Sequence, residues 1–132
     1  MRVDVIETPD LGDRSYVVSD GGCAIVVDPQ RDTDRVQALL AELSVPVTLV
    51  LETHLHNDYV TGGLALARAT GATYVVAGRD DVAFERFAVG DGDELSAGTM
   101  NVQVVETPGH TDTHVSYVIS GDEGPPLSLI HI

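Results

Sequence analysis

Residues 2–8 read RVDVIET, with apolar and polar side chains alternating, and two short apolar runs follow, RSYVVS at 14–19 and CAIVVD at 23–28. Alternation sends successive side chains to opposite faces of an extended segment, so the three stretches predict successive strands. The intervening DGG at 20–22 is a hairpin turn signal, because glycine takes the backbone angles such turns require. After Asp28-Pro29 the period changes. Val36, Leu39, Leu40 and Leu43 fall at helical spacing and predict an amphipathic helix over 32–43, with Asp32, Thr33 and Asp34 as capping candidates and early negative charge. Pro46 closes that helix, and VTLVL at 47–51 predicts a fully buried strand. A second helix is predicted from about Thr61 through GGLALARAT at 62–70, stopped by Gly71, with TYVVA at 73–77 as the next strand.

Further on, residues 79–88 predict a short helix and VGDGDEL at 89–95 a turn. TMNVQVVE at 99–106 and THVSYVIS at 113–120 predict two strands, and GDEGPPLSLIHI at 121–132 a turn followed by a short apolar tail. Strands mixed with helices point to an α/β fold, and 132 residues without repeats or low-complexity linkers point to one domain. Thr61-Gly62-Gly63 has two readings of equal weight: an anion-binding nest, or a glycine pair that lets the helix start pack closely.

Composition narrows the chemistry. Seven arginines against 21 acidic residues give a formal charge of -14, and the acids are scattered with no basic patch. Nucleic acid and anionic membrane surfaces are therefore not expected partners. No apolar run reaches the length of a membrane span, and MRVDVIETPD lacks the apolar core of a signal peptide, so a soluble, cytoplasmic protein is the expectation. The chain has no lysine, which removes Schiff-base chemistry and the phosphate-loop lysine. Its single cysteine, Cys23, has no internal disulfide partner and sits in an apolar run, where a thiol behaves as a small buried hydrophobe rather than a nucleophile.

Four of the five histidines fall in two loops, His54 with His56 and His110 with His114, each loop directly after a predicted strand. Strand carboxyl ends are the usual place for active sites in α/β folds. Neutral imidazoles and carboxylates are the ligands of zinc and non-haem iron. In ETHLHNDYVTGG, at 52–63, an extended backbone would turn His54, His56 and Asp58 to one side, whereas a helix would group only His54 with Asp58. Thr53, Asn57 and the glycines favour a loop. Loop histidines also serve as plain solvated polar residues, and spacing alone leaves both readings open.

Together, LETHLHNDYVTGG at 51–63 and VVETPGHTDTH at 104–114, preceded by SYVVSDGGCAIVVDP at 15–29, resemble the metallo-β-lactamase fold superfamily. The resemblance covers residues 3 to about 127. It is strongest to the persulfide dioxygenase branch, with glyoxalase II a close relative. It implies an αββα sandwich, of which this chain would be the N-terminal half over 1–127, followed by a doubtful tail at 128–132. The superfamily usually places a histidine after the motif's aspartate; here that residue is Tyr59. A phenol is a poor replacement for an imidazole ligand, so a two-metal site would lose a nitrogen and one metal is expected.

By the resemblance His54 and His110 are metal ligands of one iron(II), with zinc(II) the alternative metal. His56 is an alternative ligand and Asp58 a catalytic group that orients imidazole or water. Tyr59 and His114 are possible lining residues, His114 being read rather as hydrogen-bonded within its own loop. The family's carboxylate ligand comes from a Gly-Asp turn after a later strand, and Gly121-Asp122 lies too early for it. His131, in the tail, is read as incidental. A truncated reading frame is therefore expected, with unpaired, sticky strand edges. The implied reaction is oxidation of glutathione persulfide. Its rivals are zinc-dependent hydrolysis of a glutathione thioester, and a non-catalytic module that pairs with a rhodanese-type sulfur carrier.

Overall fold

The N-terminal alternation forms β1 (Arg2–Thr8), paired antiparallel with β2 (Asp13–Ser19), which pairs antiparallel with β3 (Ala24–Val27) across the turn at 20–22. The computed structural model describes residues 2–8, 13–29, 34–53, 62–77, 87–106, 115–121 and 127–129. The helical run forms α1 (Asp34–Leu43), with Val36 and Leu40 buried, as their spacing predicts. Ser44, at φ 55, ends it in the left-handed conformation. Then follow β4 (Val47–Leu51), α2 (Gly62–Thr70) and β5 (Thr73–Ala77), β4 lying parallel to β3 and β5 parallel to β4. Gly71, at φ 75, stops α2, and its N–H returns to the Ala67 carbonyl at 2.8 Å.

Three predicted stretches fold differently. Phe87–Val89 is a strand, β6, parallel to β5, so the predicted helix over 79–88 gives way at its last two residues, while 79–86 lie outside the described residues. β5 offers Phe87–Val89 backbone partners that local helical spacing does not reveal. Within 89–95, only 90–93 form the turn. Glu94 and Leu95 open β7 (Glu94–Ala97), and the Asp93 carboxylate accepts the Gly90 N–H at 2.8 Å to close the turn. β8 (Met100–Glu106) and β9 (Val115–Ser120) match the predicted strands, and Leu127–Leu129 forms β10 on β9.

The first sheet has the order β1-β2-β3-β4-β5-β6 and the second, antiparallel throughout, β10-β9-β8-β7. Between the sheets, Ile25, Val27, Leu49, Leu51 and Val75 meet Val102, Val104, Tyr117 and Ile119. On the other face of the first sheet, Val26, Val50 and Val76 pack with Val36 and Leu40 of α1 and Leu66 of α2. β3 is covered on both faces, which is why CAIVVD reads as an unbroken apolar run. The layers are helix on sheet on sheet, the described helices packing on the first sheet. Among the described residues no helix is long and apolar enough to cross a membrane.

Asp20, in the β2–β3 turn, ties the two sheets together away from the helices. Its carboxylate accepts the Thr99 N–H and hydroxyl, both at 2.8 Å, and the Gly22 and Cys23 N–H groups at 2.8 and 3.0 Å. The Thr99 and turn N–H donors hold its carboxyl well below the usual carboxylate range. Gly98, at φ 59, leaves room for this contact: a methyl there would lie 2.5 Å from Asp20 Oδ2 and 2.8 Å from Cys23 Sγ. Cys23 is buried and free of any disulfide, as its sequence setting predicts.

Candidate functional site

β3 and β4 run parallel with Val27 opposite Leu51, so the first polar residues after each, Asp28 and Glu52-Thr53, emerge side by side at the sheet's carboxyl edge. Asp28 adopts φ 51, in the left-handed region that Asp tolerates better than most residues. Its N–H donates to the Leu51 carbonyl at 2.8 Å, and its carbonyl accepts the Ser15 hydroxyl at 2.7 Å. In that conformation its carboxylate reaches Thr53, accepting the N–H at 2.7 Å through Oδ1 and the hydroxyl at 2.5 Å through Oδ2. Thr53 is 1% exposed and directly precedes His54.

The second sheet joins this edge. The Val115 N–H donates to the Thr53 carbonyl at 2.8 Å, and the Tyr117 hydroxyl donates to the Glu52 carbonyl at 2.7 Å. Val115 directly follows His114, and its cross-strand partner Glu106 directly precedes the 107–114 loop. Val115, the first described residue after 107–114, therefore stands beside Thr53, the last described residue before 54–61, and Glu106 is held through Val115 as its cross-strand partner. Asp91 Oδ1 also braces Glu106 by accepting its N–H at 2.9 Å.

Glu52 is 4% exposed. Its Oε1 accepts the Tyr74 hydroxyl at 3.1 Å, and its N–H donates to the Val75 carbonyl at 3.0 Å. Gly63, in the first turn of α2, presses against the same group: a methyl on its backbone would sit 2.2 Å from Glu52 Oε1 and 2.7 Å from Tyr74 Cε1. Of the two readings of Thr61-Gly62-Gly63, close packing is the one Gly63 displays.

His54, His56, Asp58, Tyr59, His110 and His114 lie outside the described residues, as does His131. Among the described residues, no cluster of three or more His, Cys, Asp or Glu could hold a metal. What the structure supplies is the frame around Thr53 and Val115, the described residues that flank the two histidine-bearing stretches: Asp28, Glu52, Tyr74 and Tyr117. Sequence reading treated Asp28-Pro29 as a mere boundary and passed over Glu52. The available signal was a carboxylate directly after each of two apolar runs, which the parallel pairing of those runs turns into neighbours.

Comparison with known proteins agrees with this architecture. The metallo-beta-lactamase superfamily model matches residues 9–124. The hydroxyacylglutathione hydrolase of Albidiferax ferrireducens is 34% identical over 112 residues, covering 85% of this chain and 44% of that protein. The one from Nitrobacter winogradskyi is 39% identical over 105 residues, covering 77% of this chain and 40% of its own length. Among solved structures, ETHE1 from Myxococcus xanthus superposes with a TM-score of 0.82 at 32% identity, covering 90% of this chain and 54% of that one. The chain thus spans about half the length of the relatives it matches. Fold, layer order and family match together assign it: the chain belongs to the metallo-beta-lactamase superfamily.

Proposed function

We propose that the chain carries the histidine-bearing half of a one-cation metal site and acts at the sulfur-bearing end of a glutathione derivative. His54 and His110 are the imidazole ligands, His56 is an alternative imidazole, and Asp58 orients an imidazole or a water molecule. The observation that supports this reading is the Thr53–Val115 hydrogen bond, which joins the residue before His54 to the residue after His114. His54 and His114 each directly adjoin one partner of that bond, and His110 is four residues from His114, so little chain is needed to bring the candidate ligands together, since each residue spans at most about 3.8 Å. The donor set suits iron(II) or zinc(II), and a cation held there would supply Lewis acidity and, with iron, reactivity towards oxygen. The chain's own residues do the positioning. Asp28 fixes Thr53 through its N–H and hydroxyl, and the buried Val115 and Tyr117 hold the Thr53 and Glu52 carbonyls.

Two reactions on a glutathione-type substrate are in play. Oxidation of glutathione persulfide is favoured by one residue of this chain, Tyr59, which stands where a two-metal hydrolase needs an imidazole. Hydrolysis of a glutathione thioester is favoured by the names of the curated relatives, and on the comparisons it is the better supported of the two. Oxygen uptake with glutathione persulfide, run beside hydrolysis of a glutathione thioester on iron-loaded and zinc-loaded protein, separates them. Uptake by the iron form alone supports the dioxygenase reading. Thioester hydrolysis without uptake replaces it with the second. A protein that holds no metal and turns over neither substrate is a non-catalytic module, for which a rhodanese-type sulfur carrier is the proposed partner, and overturns both.

A further inference from the structure

We infer that Glu52 is a positioning residue for the 54–61 loop, an inference that rests on the metal site proposed above. Glu52 touches three elements that meet at the neck of that loop. Its N–H is bonded to β5 at Val75, its carbonyl to β9 at Tyr117, and its side chain to Tyr74 while abutting Gly63 of α2. The chain leaves the described core one residue after Glu52 and returns at Gly62. A single buried carboxyl group thus sets the distance between the exit and the return, with Tyr74 as its brace.

Gly63 shows how tightly that distance is held, because no side chain fits between its backbone and Glu52 Oε1. A neck of fixed width leaves the intervening residues one span to close, which lowers the conformational entropy that metal binding would otherwise have to remove. A core residue elsewhere contributes stability without this effect. The two roles therefore separate when metal affinity is measured beside stability.

The test is equilibrium binding of zinc(II) alone to the whole chain, with cobalt(II) visible absorption as a report on coordination geometry, for the native protein, Glu52→Ala, Glu52→Gln and Val26→Ala. Glu52→Ala should weaken zinc binding about tenfold and change the cobalt spectrum. Glu52→Gln, which keeps the shape and an oxygen for the Tyr74 hydroxyl, should restore most of both. Val26→Ala, in the core under α1, should lose thermal stability yet bind zinc like the native chain. Native affinity in Glu52→Ala, or an equal loss in Val26→Ala, overturns the inference while leaving the metal site standing. A native chain that binds no zinc overturns both. Should Glu52→Ala fail to fold, Tyr74→Phe removes only the bracing hydroxyl and should weaken binding about threefold; unchanged affinity there overturns the inference equally.

Discussion

Asp28 offers the sharpest test of how the frame is held, because its backbone conformation and its hydrogen bonds are separable by substitution. Alanine withdraws the acceptor from the buried Thr53 N–H and hydroxyl and also places a β-carbon at φ 51 without a polar group to compensate. A hydrogen bond to a charged acceptor contributes about 1.5–3 kcal/mol, and the hydroxyl bond adds roughly 1 kcal/mol. The left-handed conformation adds about another 1 kcal/mol for alanine over aspartate. Asp28→Ala should therefore destabilise the chain by about 3.5–5 kcal/mol, a large share of a typical domain's stability. Asp28→Gly loses the same bonds without the steric penalty and, after the cost of glycine's freedom in the unfolded chain, should be milder by roughly 0.5–1 kcal/mol. Asp28→Asn tolerates the conformation and keeps one acceptor for the Thr53 N–H, so a loss of about 1–2 kcal/mol is expected. Urea denaturation at neutral pH, followed by circular dichroism with slopes compared across the series, measures all three. Alanine losing less than about 1 kcal/mol, or asparagine as damaging as alanine, would refute the reasoning.

Three further outcomes follow from the same packing. Gly63→Ala forces a methyl against Glu52 and Tyr74 and should cost about 1–3 kcal/mol by overpacking, seen as a fall in Tm of several degrees. Tyr117→Phe keeps the fully buried ring but removes the donor to the Glu52 carbonyl, so a loss of about 1–2 kcal/mol is expected in urea titration, with the far-ultraviolet spectrum unchanged. The Asp20 carboxyl titrates below its unfolded value, so its contribution is complete above the ordinary carboxylate range and fades as pH falls from about 4 towards the lower folded value. Asp20→Asn should lower stability at pH 7 by about 1 kcal/mol, solvent screening being considerable, and flatten the decline of stability in that acid window.

Most of the fold could be read from periodicity because local pattern and tertiary burial agree. VTLVL is covered on both faces and does not alternate, and Val36 and Leu40 share the helix face that packs on the sheet; RVDVIET alternates and pairs with β2, yet its Val3 and Val5 are 37% and 50% exposed. The misreadings lie where tertiary partners decide. Phe87–Val89 becomes a strand because β5 offers it backbone partners, and Glu94-Leu95 joins β7 because β8 returns beside it. Leu127–Leu129, read as part of a short apolar tail, pairs with β9 in the same way.

The candidate residues were legible as types, histidines and an aspartate in two predicted loops, although they lie outside the described residues. The frame around Thr53 and Val115 was not. Asp28 and Glu52 become neighbours through parallel pairing, and Val115 reaches Thr53 across two sheets, a contact between residues 62 positions apart by subtraction of their numbers. Nothing local in GHTDTHV announces that the valine's N–H will meet a threonine carbonyl from another strand.

Equilibrium zinc(II) binding to the native chain, His54→Ala and His110→Ala, measured by competition with a chromophoric chelator under anaerobic conditions, addresses the convergence of the two loops most directly. One zinc per native chain, with affinity falling at least about a hundredfold in either variant, is the expected result. Binding that survives both substitutions, or a native chain that takes up no zinc, contradicts it.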